Sequence, residues 1–276
     1  MILIDALRLN NQGVLDWNTL LSGGGSASVE EIPEEGTEVC RQETTILNCF
    51  TASLTSVQND IRELSSIEHA QLPQSTEERR PAISFRARPV EAFRSVVNAN
   101  PNQRFVFHRA FEAFLVEEDE AVADLGIDDA VACSACVIFN MALVHHLRFL
   151  RDPEDSSAKN KAESLYGLAL QALDGAALPS ANQHSGLEKI FQLVQLGALN
   201  NLGALKSSQD TACNEDARSC FVELMRVLNS VEQQAKCSGL PTSDSLLHES
   251  EWNGMTSNCL AILFNMPTNQ KTALAA

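Results

Sequence analysis

The stretch AVACSACVIFNMALVHHLRFL, residues 130–150, carries the clearest structural signal in the sequence. Its apolar and small residues recur at intervals of three and four, the spacing that places side chains on one face of an α-helix. The most apolar part, from Ala130 to Val144, is 15 residues long and includes Ser134 and Asn140, whereas a membrane span needs about 20 apolar residues. The stretch therefore predicts a helix buried in a protein core, and no membrane span.

The same periodicity predicts helices on both sides of this stretch, at residues 40–64, 162–173, 187–205, 217–231 and 245–264. Breaks fall where helices should end, at Asp152-Pro153, between Gly175 and Pro179, and between Gly239 and Pro241. Alternating apolar runs are few, and no Asn-Gly or Asp-Gly pair stands between two of them. Because short connections favour antiparallel neighbours, we expect an all-α fold, an irregular antiparallel array of helix hairpins.

Three regions follow from composition. Residues 1–64 should form a first degenerate hairpin, interrupted by a disordered acidic linker at residues 22–38 that contains Gly23-Gly24-Gly25 and five glutamates. Residues 65–129, which four prolines break up, are an insert of low regularity and partly disordered. Residues 130–276 should hold further hairpins and a C-terminal capping helix, whose apolar stripe is Trp252, Met255, Cys259, Ile262 and Met266.

The insert is strongly polarised in charge. From Arg79 to Arg109 it has seven arginines and the single acid Glu91, and from Glu117 to Asp129 it has seven acids and no base. The two runs can pair with each other or be solvated, and the alternative is a basic docking segment for an acidic partner. The same arginines are interleaved with phenylalanines, as in proteins that bind single-stranded RNA, but the acidic remainder of the chain opposes such binding.

Three segments repeat one pattern of an apolar residue, an asparagine at the third position and a small residue at the fifth: LNNQG at 9–13, IFNMA at 138–142 and LNNLG at 199–203. Each is followed by a helix with an aromatic residue, at Phe50, Tyr166 and Phe221. A small residue lets a second helix approach closely, and an aromatic ring then fills the space between turns. Since one such hairpin cannot bury its apolar face alone, the units should stack.

This two-part pattern resembles the tetratricopeptide repeat. The third unit, from Gly203 to Phe221, is close to the regular spacing of that family, and the first two carry insertions between their helices. The combination also looks like the divergent helical-repeat proteins of diatoms, best over residues 130–265 and weakly over 1–60. The resemblance implies a tetratricopeptide-like α-solenoid that acts as a protein–protein interaction scaffold, with no enzymatic activity and no cofactor. It implies a protein or peptide partner.

In such arrays the first helices of the hairpins line the concave surface. With the small residue packed on the second helix, the partner-binding positions are those three before it and one and four after it. These candidate residues are Asn10, Val14, Trp17, Phe139, Leu143, His146, Asn200, Ala204 and Ser207. Members of the family that clamp a C-terminal carboxylate carry a lysine at the first of these positions, which this chain lacks, so that activity is not expected.

The predicted groove is largely apolar, so either a partner segment occupies it or the protein covers it with its own chain. The insert offers a candidate cover, because four phenylalanines lie within ten residues of each other, at 105, 107, 111 and 114. We therefore expect part of residues 65–129 to pack onto the concave face.

The remaining polar side chains of the sequence do not predict a reactive or metal site. Cys133 and Cys136 have the CxxC spacing, but no second such pair exists and the adjacent His145 and His146 diverge on a helix, so buried thiols are expected and a metal site is not. Each of the two histidines should either have its hydrogen bonds satisfied in the core or face solvent; the alternative is that it contacts a ligand. Mid-helix Asn140, Asn200 and Asn201 should bond neighbouring helices or, alternatively, the backbone of a partner.

Composition limits the remaining function classes. The net charge of −16 disfavours binding to nucleic acid or to an anionic membrane. The N-terminus lacks a basic region and a cleavage site, and the eight cysteines are irregularly spaced, so no signal peptide is expected and an intracellular, most simply cytoplasmic, location is, with the nucleus also open. An obligate subunit of a larger complex, or an enzyme with an unrecognised site, remain the alternatives; the oligomeric state is not predicted.

Overall fold

A computed structural model describes residues 2–22, 35–68, 83–90, 93, 104–115, 127–174, 185–207, 215–238 and 246–264. In these residues the chain is mostly helical, with seven α-helices and one two-stranded sheet. The helices are α1 (Ile2–Ser22), α2 (Glu35–Glu68), α3 (Ile127–Arg151), α4 (Ser156–Asp174), α5 (Ser185–Ser207), α6 (Glu215–Ser238) and α7 (Glu249–Leu263). Each helix that apolar spacing predicted is confirmed, and most extend a few residues beyond the predicted bounds.

The helices pack in chain order, each against the next, from α1 to α7. The odd-numbered helices also contact one another in sequence, α1 with α3, α3 with α5 and α5 with α7. One buried apolar cluster runs through all seven helices and includes Val14, Phe50, Phe139, Leu196 and Met255. The odd-numbered helices therefore form a row along one side of the core.

The pairing of a small residue with an aromatic residue is confirmed at both glycines that carry it. A Cβ added at Gly13 would lie 2.8 Å from the ring of Phe50, and one at Gly203 would lie 2.9 Å from the ring of Phe221. Ala142 and Tyr166, the third pair, are both fully buried in the main core. Since a helical glycine costs about 0.5–1 kcal/mol relative to alanine, close helix approach is the reason for Gly13 and Gly203.

The prediction of a purely helical chain is too simple, because the insert contains a sheet. β1 (Ile83–Pro89) pairs antiparallel with β2 (Arg109–Leu115), from Ile83 opposite Leu115 to Pro89 opposite Arg109. A local signal for β1 exists in the alternation of Ile83, Phe85 and Ala87 with polar residues. For β2 the local signal is weak, since RAFEAFL has no β-branched residue, and its pairing depends on residues distant in sequence.

Two predicted regions fall partly outside the described residues. Helix α1 ends at Ser22 and helix α2 begins at Glu35, so the predicted linker 22–38 is too long at both ends; residues 23–34 lie outside the description. In the acidic run, residues 117–126 lie outside it, and Asp128 and Asp129 belong to the first turn of α3. This first turn is where acidic side chains complement the helix dipole.

Helix α3 is the most apolar helix of the chain. Its length of 25 residues and its composition meet the criteria for a membrane span, but 78% of its most apolar window is buried inside the protein. The prediction of a buried helix for Ala130 to Val144 is confirmed: apart from Val131 and Met141, which are half-buried, every residue in that run is buried. Its apolar character therefore serves packing in this structure.

Candidate functional site

An extended segment of the insert lies across the row of odd-numbered helices. This segment, residues 104–115 with the sequence RFVFHRAFEAFL, is called the docked segment below. Its last seven residues are strand β2, and its side chains Val106, Phe107, Ala110 and Phe111 belong to the main core. From the predicted covering part of the insert, the rings of Phe105, Phe107 and Phe111 pack on α7, α5 and α3, respectively.

Four asparagines, one from each odd-numbered helix, bind the backbone of the docked segment. Each accepts the backbone N–H of one residue with Oδ1 and donates from Nδ2 to the carbonyl oxygen of the same residue. The pairs are Asn11 with Ala113 (2.9 and 2.8 Å), Asn140 with Phe111 (2.9 and 2.9 Å), Asn201 with Phe107 (2.8 and 2.8 Å) and Asn258 with Phe105 (3.2 and 2.8 Å). We call these four residues the asparagine row.

The spacing of the bound residues follows from strand geometry. In an extended chain the N–H and C=O of one residue point to the same edge, and those of the next residue point to the other. The asparagine row binds residues 105, 107, 111 and 113, which are all odd-numbered and so share one edge. The row therefore satisfies one edge of extended backbone at 105, 107, 111 and 113 with side chains, where a sheet would use another strand.

Position 109, the odd-numbered residue that the row skips, is held through its side chain. The guanidinium of Arg109 forms a two-point ion pair with the carboxylate of Glu251 at the start of α7. Both side chains are largely buried, at 11% and 9% exposed. Glu251 also accepts the backbone N–H of His248 (2.9 Å), which caps the same helix. A charge pair is thus placed midway along the docked segment.

Two further asparagines, each adjacent in sequence to a member of the row, bond both the docked segment and the row. Asn10 donates to the carbonyl of Phe111 (2.9 Å) and accepts from Asn140 (3.0 Å). Asn200 donates to the carbonyl of Phe105 (3.1 Å) and accepts from Asn258 (2.9 Å). Asn10 and Asn200 are almost fully buried. Their bonds therefore hold the side-chain amides of the asparagine row in the orientation that binds the docked segment.

Tyr166 and His146 extend this hydrogen-bond network from Asn201. The Tyr166 hydroxyl accepts from Asn201 Nδ2 (3.0 Å) and lies 3.2 Å from His146 Nδ1. Burial lowers the pKa of His146 to about 3, so its imidazole is neutral at physiological pH. Burial raises the pKa of the Tyr166 hydroxyl, which stays protonated. The pair is therefore neutral and hydrogen-bonded, and neither pKa lies near 7, where general acid–base catalysis is most efficient.

Two glycines receive aromatic rings of the docked segment. A Cβ added at Gly197 on α5 would lie 2.5 Å from the ring of Phe107, and one at Gly254 on α7 would overlap the ring of Phe105. The ring of Phe107 also packs edge-on to Phe139 (6.1 Å between ring centres). These rings lie against the helix backbone, so a side chain at either glycine would have to displace the ring.

The predicted partner-binding residues are buried by the chain itself, with Ser207 half-buried. Asn10, Phe139 and Asn200 contact the docked segment, whereas Trp17 and His146 contact Phe93, which is also in the insert. Ser207 bonds the carbonyl of Ala204 within its own helix. Val14, Leu143 and Ala204 are buried apolar residues. Of the two alternatives for the predicted groove, cover by the protein's own chain is what the structure contains.

Several residues of the site were not predicted as binding positions: Asn11, Asn140, Asn201, Asn258, Gly197, Gly254 and Glu251. Asn11, Asn140 and Asn201 were predicted only as the third-position asparagines of the repeat. For Asn140 and Asn201, bonding to a partner backbone was one alternative. Both Gly197 with Asn201 and Gly254 with Asn258 form a Gly-x-x-x-Asn spacing. Residues four apart lie on one helix face, and the rings over the two glycines show that this face receives the docked segment.

The cysteines and charged groups do not build a reactive centre among the described residues. Cys133 and Cys136 are buried free thiols whose pKa values burial raises well above the usual one, as expected for structural cysteines. In the described ranges no cluster of three metal-ligating side chains occurs. Arg88 and Arg109 of the basic run pair with Glu112 and Glu251, which both lie outside the acidic run.

The chain matches no family model, no curated protein and no solved structure.

Proposed function

We propose that the protein is a non-enzymatic protein–protein interaction scaffold that binds an extended peptide on the face formed by α1, α3, α5 and α7. In the isolated chain the docked segment fills this face, and a partner peptide replaces it. The observation that carries the proposal is the asparagine row, in which four side chains from four helices each bind both backbone groups of one residue. The contacts of each helix with the next, and of the odd-numbered helices with one another, are consistent with a tetratricopeptide-like array.

The chemistry of the row supports binding of an extended peptide over binding of a helix. Backbone N–H and C=O groups inside a helix already bond to each other, so a docked helix would leave the four asparagines without partners. An extended segment offers free groups along its edge, as in recognition by strand addition. Because the asparagines bind backbone atoms, the row accepts another sequence wherever the side chains fit.

Native-state hydrogen exchange tests the proposal on the full unmodified chain. We expect the amides of Phe107 and Phe111 to exchange through a local opening with a smaller free energy than the amides of α5. A 12-residue peptide with the sequence of residues 104–115, added in excess, should then speed exchange at these two amides while α5 keeps its protection.

The matched control is the same peptide with N-methyl groups at the residues that correspond to Phe107 and Phe111. It keeps every side chain but lacks two of the N–H donors that the row binds, so it should leave exchange unchanged. If Phe107 and Phe111 exchange only through global unfolding, and the parent peptide has no effect, the docked segment is a fixed part of the fold and the proposal fails.

A further inference from the structure

We propose that this face selects an extended peptide with aromatic residues at two alternating positions and an arginine two positions after the second, and that Gly254, Gly197 and Glu251 read these three residues. The inference rests on the proposed function and names its partner class. The docked segment, in which Phe105, Phe107 and Arg109 occupy these positions, is the template for it.

The first observation is that α5 and α7 repeat one device. In each helix an asparagine binds the backbone of one residue of the docked segment, and a glycine four residues earlier lies under the ring of that same residue. Asn201 and Gly197 hold Phe107, and Asn258 and Gly254 hold Phe105. Backbone recognition and side-chain selection are therefore combined within one turn of helix.

The second observation is that the residue at the glycine position varies with the size of the bound residue. On α1 the residue four before Asn11 is Leu7, and the residue that Asn11 binds is Ala113. Leu7 and Ala113 belong to the same small apolar cluster. On α3 the residue four before Asn140 is Cys136, and the residue that Asn140 binds is Phe111. Glycine or the small cysteine thus accompanies phenylalanine, and leucine accompanies alanine, which is the volume complementarity that a packed interface requires.

The third observation concerns the charge at the position of Arg109. Glu251 lies three residues before Gly254 on α7, and its largely buried carboxylate bonds both Arg109 and the backbone of His248. A peptide without a cation at this position would leave the carboxylate buried and unpaired, and an acidic residue there would add repulsion. The site therefore discriminates against such peptides and does not merely favour arginine.

The test measures binding of fluorescein-labelled peptides to the full chain by anisotropy. The parent peptide has the sequence of residues 104–115, and variants replace the equivalents of Phe105, Phe107 or Arg109. Competition from the docked segment weakens all peptides by the same factor, so affinity ratios report the preference of the face. We expect about 30-fold weaker binding for each Phe to Ala change, the size of an interface hot spot.

Substitutions in the chain test whether Gly197 and Glu251 determine which residues the face prefers in a peptide. In the Gly197→Leu chain the preference should invert, so that the peptide with Ala in place of Phe107 binds better than the parent. In the Glu251→Gln chain, which keeps an acceptor for the His248 N–H, peptides with Arg or Gln at the position equivalent to Arg109 should bind within about twofold of each other. If Gly197→Leu does not fold, this second variant still tests the recognition of the arginine by Glu251, and equal Arg and Gln preference in wild type and Glu251→Gln would overturn the inference.

Each outcome separates the inference from the function it rests on. If the parent peptide displaces the docked segment in hydrogen exchange but Phe, Ala, Arg and Gln peptides bind alike, backbone binding stands and the selection fails. If no peptide displaces the segment, the proposed function fails and the selection with it. If the chain dimerises by exchanging docked segments and peptide binding only dissolves that dimer, the occupant is a second copy and the partner class proposed here is wrong.

Discussion

Residues 105–107 and residues 111–113 of the docked segment lie on the same asparagine row, but their other neighbours differ. Residues 111–113 belong to β2 and pair with β1 on the edge that the asparagines leave free. Residues 105–107 precede the strand pairing, whose register ends with Pro89 opposite Arg109, and their rings lie on Gly254 and Gly197.

This difference assigns two tasks to the two ends. At residues 111–113 the strand pair fixes the register, since a shift by one residue would turn every side chain to the other face. At residues 105–107 the packing of side-chain volume and the asparagines hold the chain. The identity of the bound residues should therefore matter most at that end. The predictions below test this division, in order of expected effect on the free energy of unfolding.

The largest effect is expected from Asn201→Leu, compared with Asn11→Leu at the other end. Loss of Asn201 leaves the N–H and C=O of Phe107 and the Tyr166 hydroxyl with fewer partners in a buried site, at about 1–3 kcal/mol for each unsatisfied group. We expect destabilisation of about 4 kcal/mol for Asn201→Leu and about 2 kcal/mol for the half-buried Asn11, where water can substitute. Chemical denaturation measures both, and equal losses would contradict the division.

The burial of His146, whose ring lies next to the Tyr166 hydroxyl, predicts that the free energy of unfolding depends on pH. The pKa of His146 is about 3 in the folded protein because of burial, against about 6.5 in the unfolded chain. Above pH 6.5 the imidazole is neutral in both states; below it the unfolded state binds a proton that the folded state does not. Stability therefore falls as the pH is lowered, by about 1.4 kcal/mol per pH unit.

The measurement for this prediction compares the wild type with His146→Gln, by denaturation at pH 6.5 and pH 5. The wild-type advantage should shrink by about 2 kcal/mol over that interval. His145, whose pKa burial lowers to about 4, is present in both proteins and cancels. A constant difference would mean that His146 titrates normally in the folded state.

A smaller effect is expected at the glycine under Phe107. Gly197→Ala places a methyl group 2.5 Å from the ring, and the overpacking of about 1–3 kcal/mol should exceed the gain in helix propensity of about 1 kcal/mol. The matched control is Gly167→Ala on α4, where a Cβ would meet nothing within 4 Å. There we expect stabilisation of about 0.5–1 kcal/mol. Stabilisation by both substitutions would show that Phe107 does not rest on Gly197.

The smallest effect is expected at a hydrogen bond away from the docked segment. Ser53 on α2 donates to the carbonyl of Ala6 on α1 (2.7 Å). Ser53→Ala should lower the free energy of unfolding by about 0.5–1 kcal/mol, with no change in the local opening of the Phe107 and Phe111 amides relative to the rest of the chain. A selective increase of exchange at those amides would mean that the segment responds to any loss of stability, and would weaken the case for its independent release.

Part of the candidate site was predictable from the sequence. Asn10, Phe139 and Asn200 follow from the repeated five-residue pattern, and all three contact the docked segment. Glu251 was not predictable, because its partner Arg109 lies 142 residues away and a glutamate near a helix start has an ordinary role as a cap. The Gly-x-x-x-Asn spacing was present, but it gains meaning only when a ring is seen above each glycine.

By itself the sequence determined the helices, their breaks and the close pairing of Gly13 with Phe50 and Gly203 with Phe221, since these depend on residues within a turn or in adjacent helices. The phenylalanines of the insert predicted a covering segment, but only the tertiary structure decided which of its residues dock and that one asparagine from each odd-numbered helix binds its backbone. The bond between Asn258 and Phe105 joins residues 153 positions apart. Such a contact depends on the stacking of every helix between them, which no local periodicity encodes.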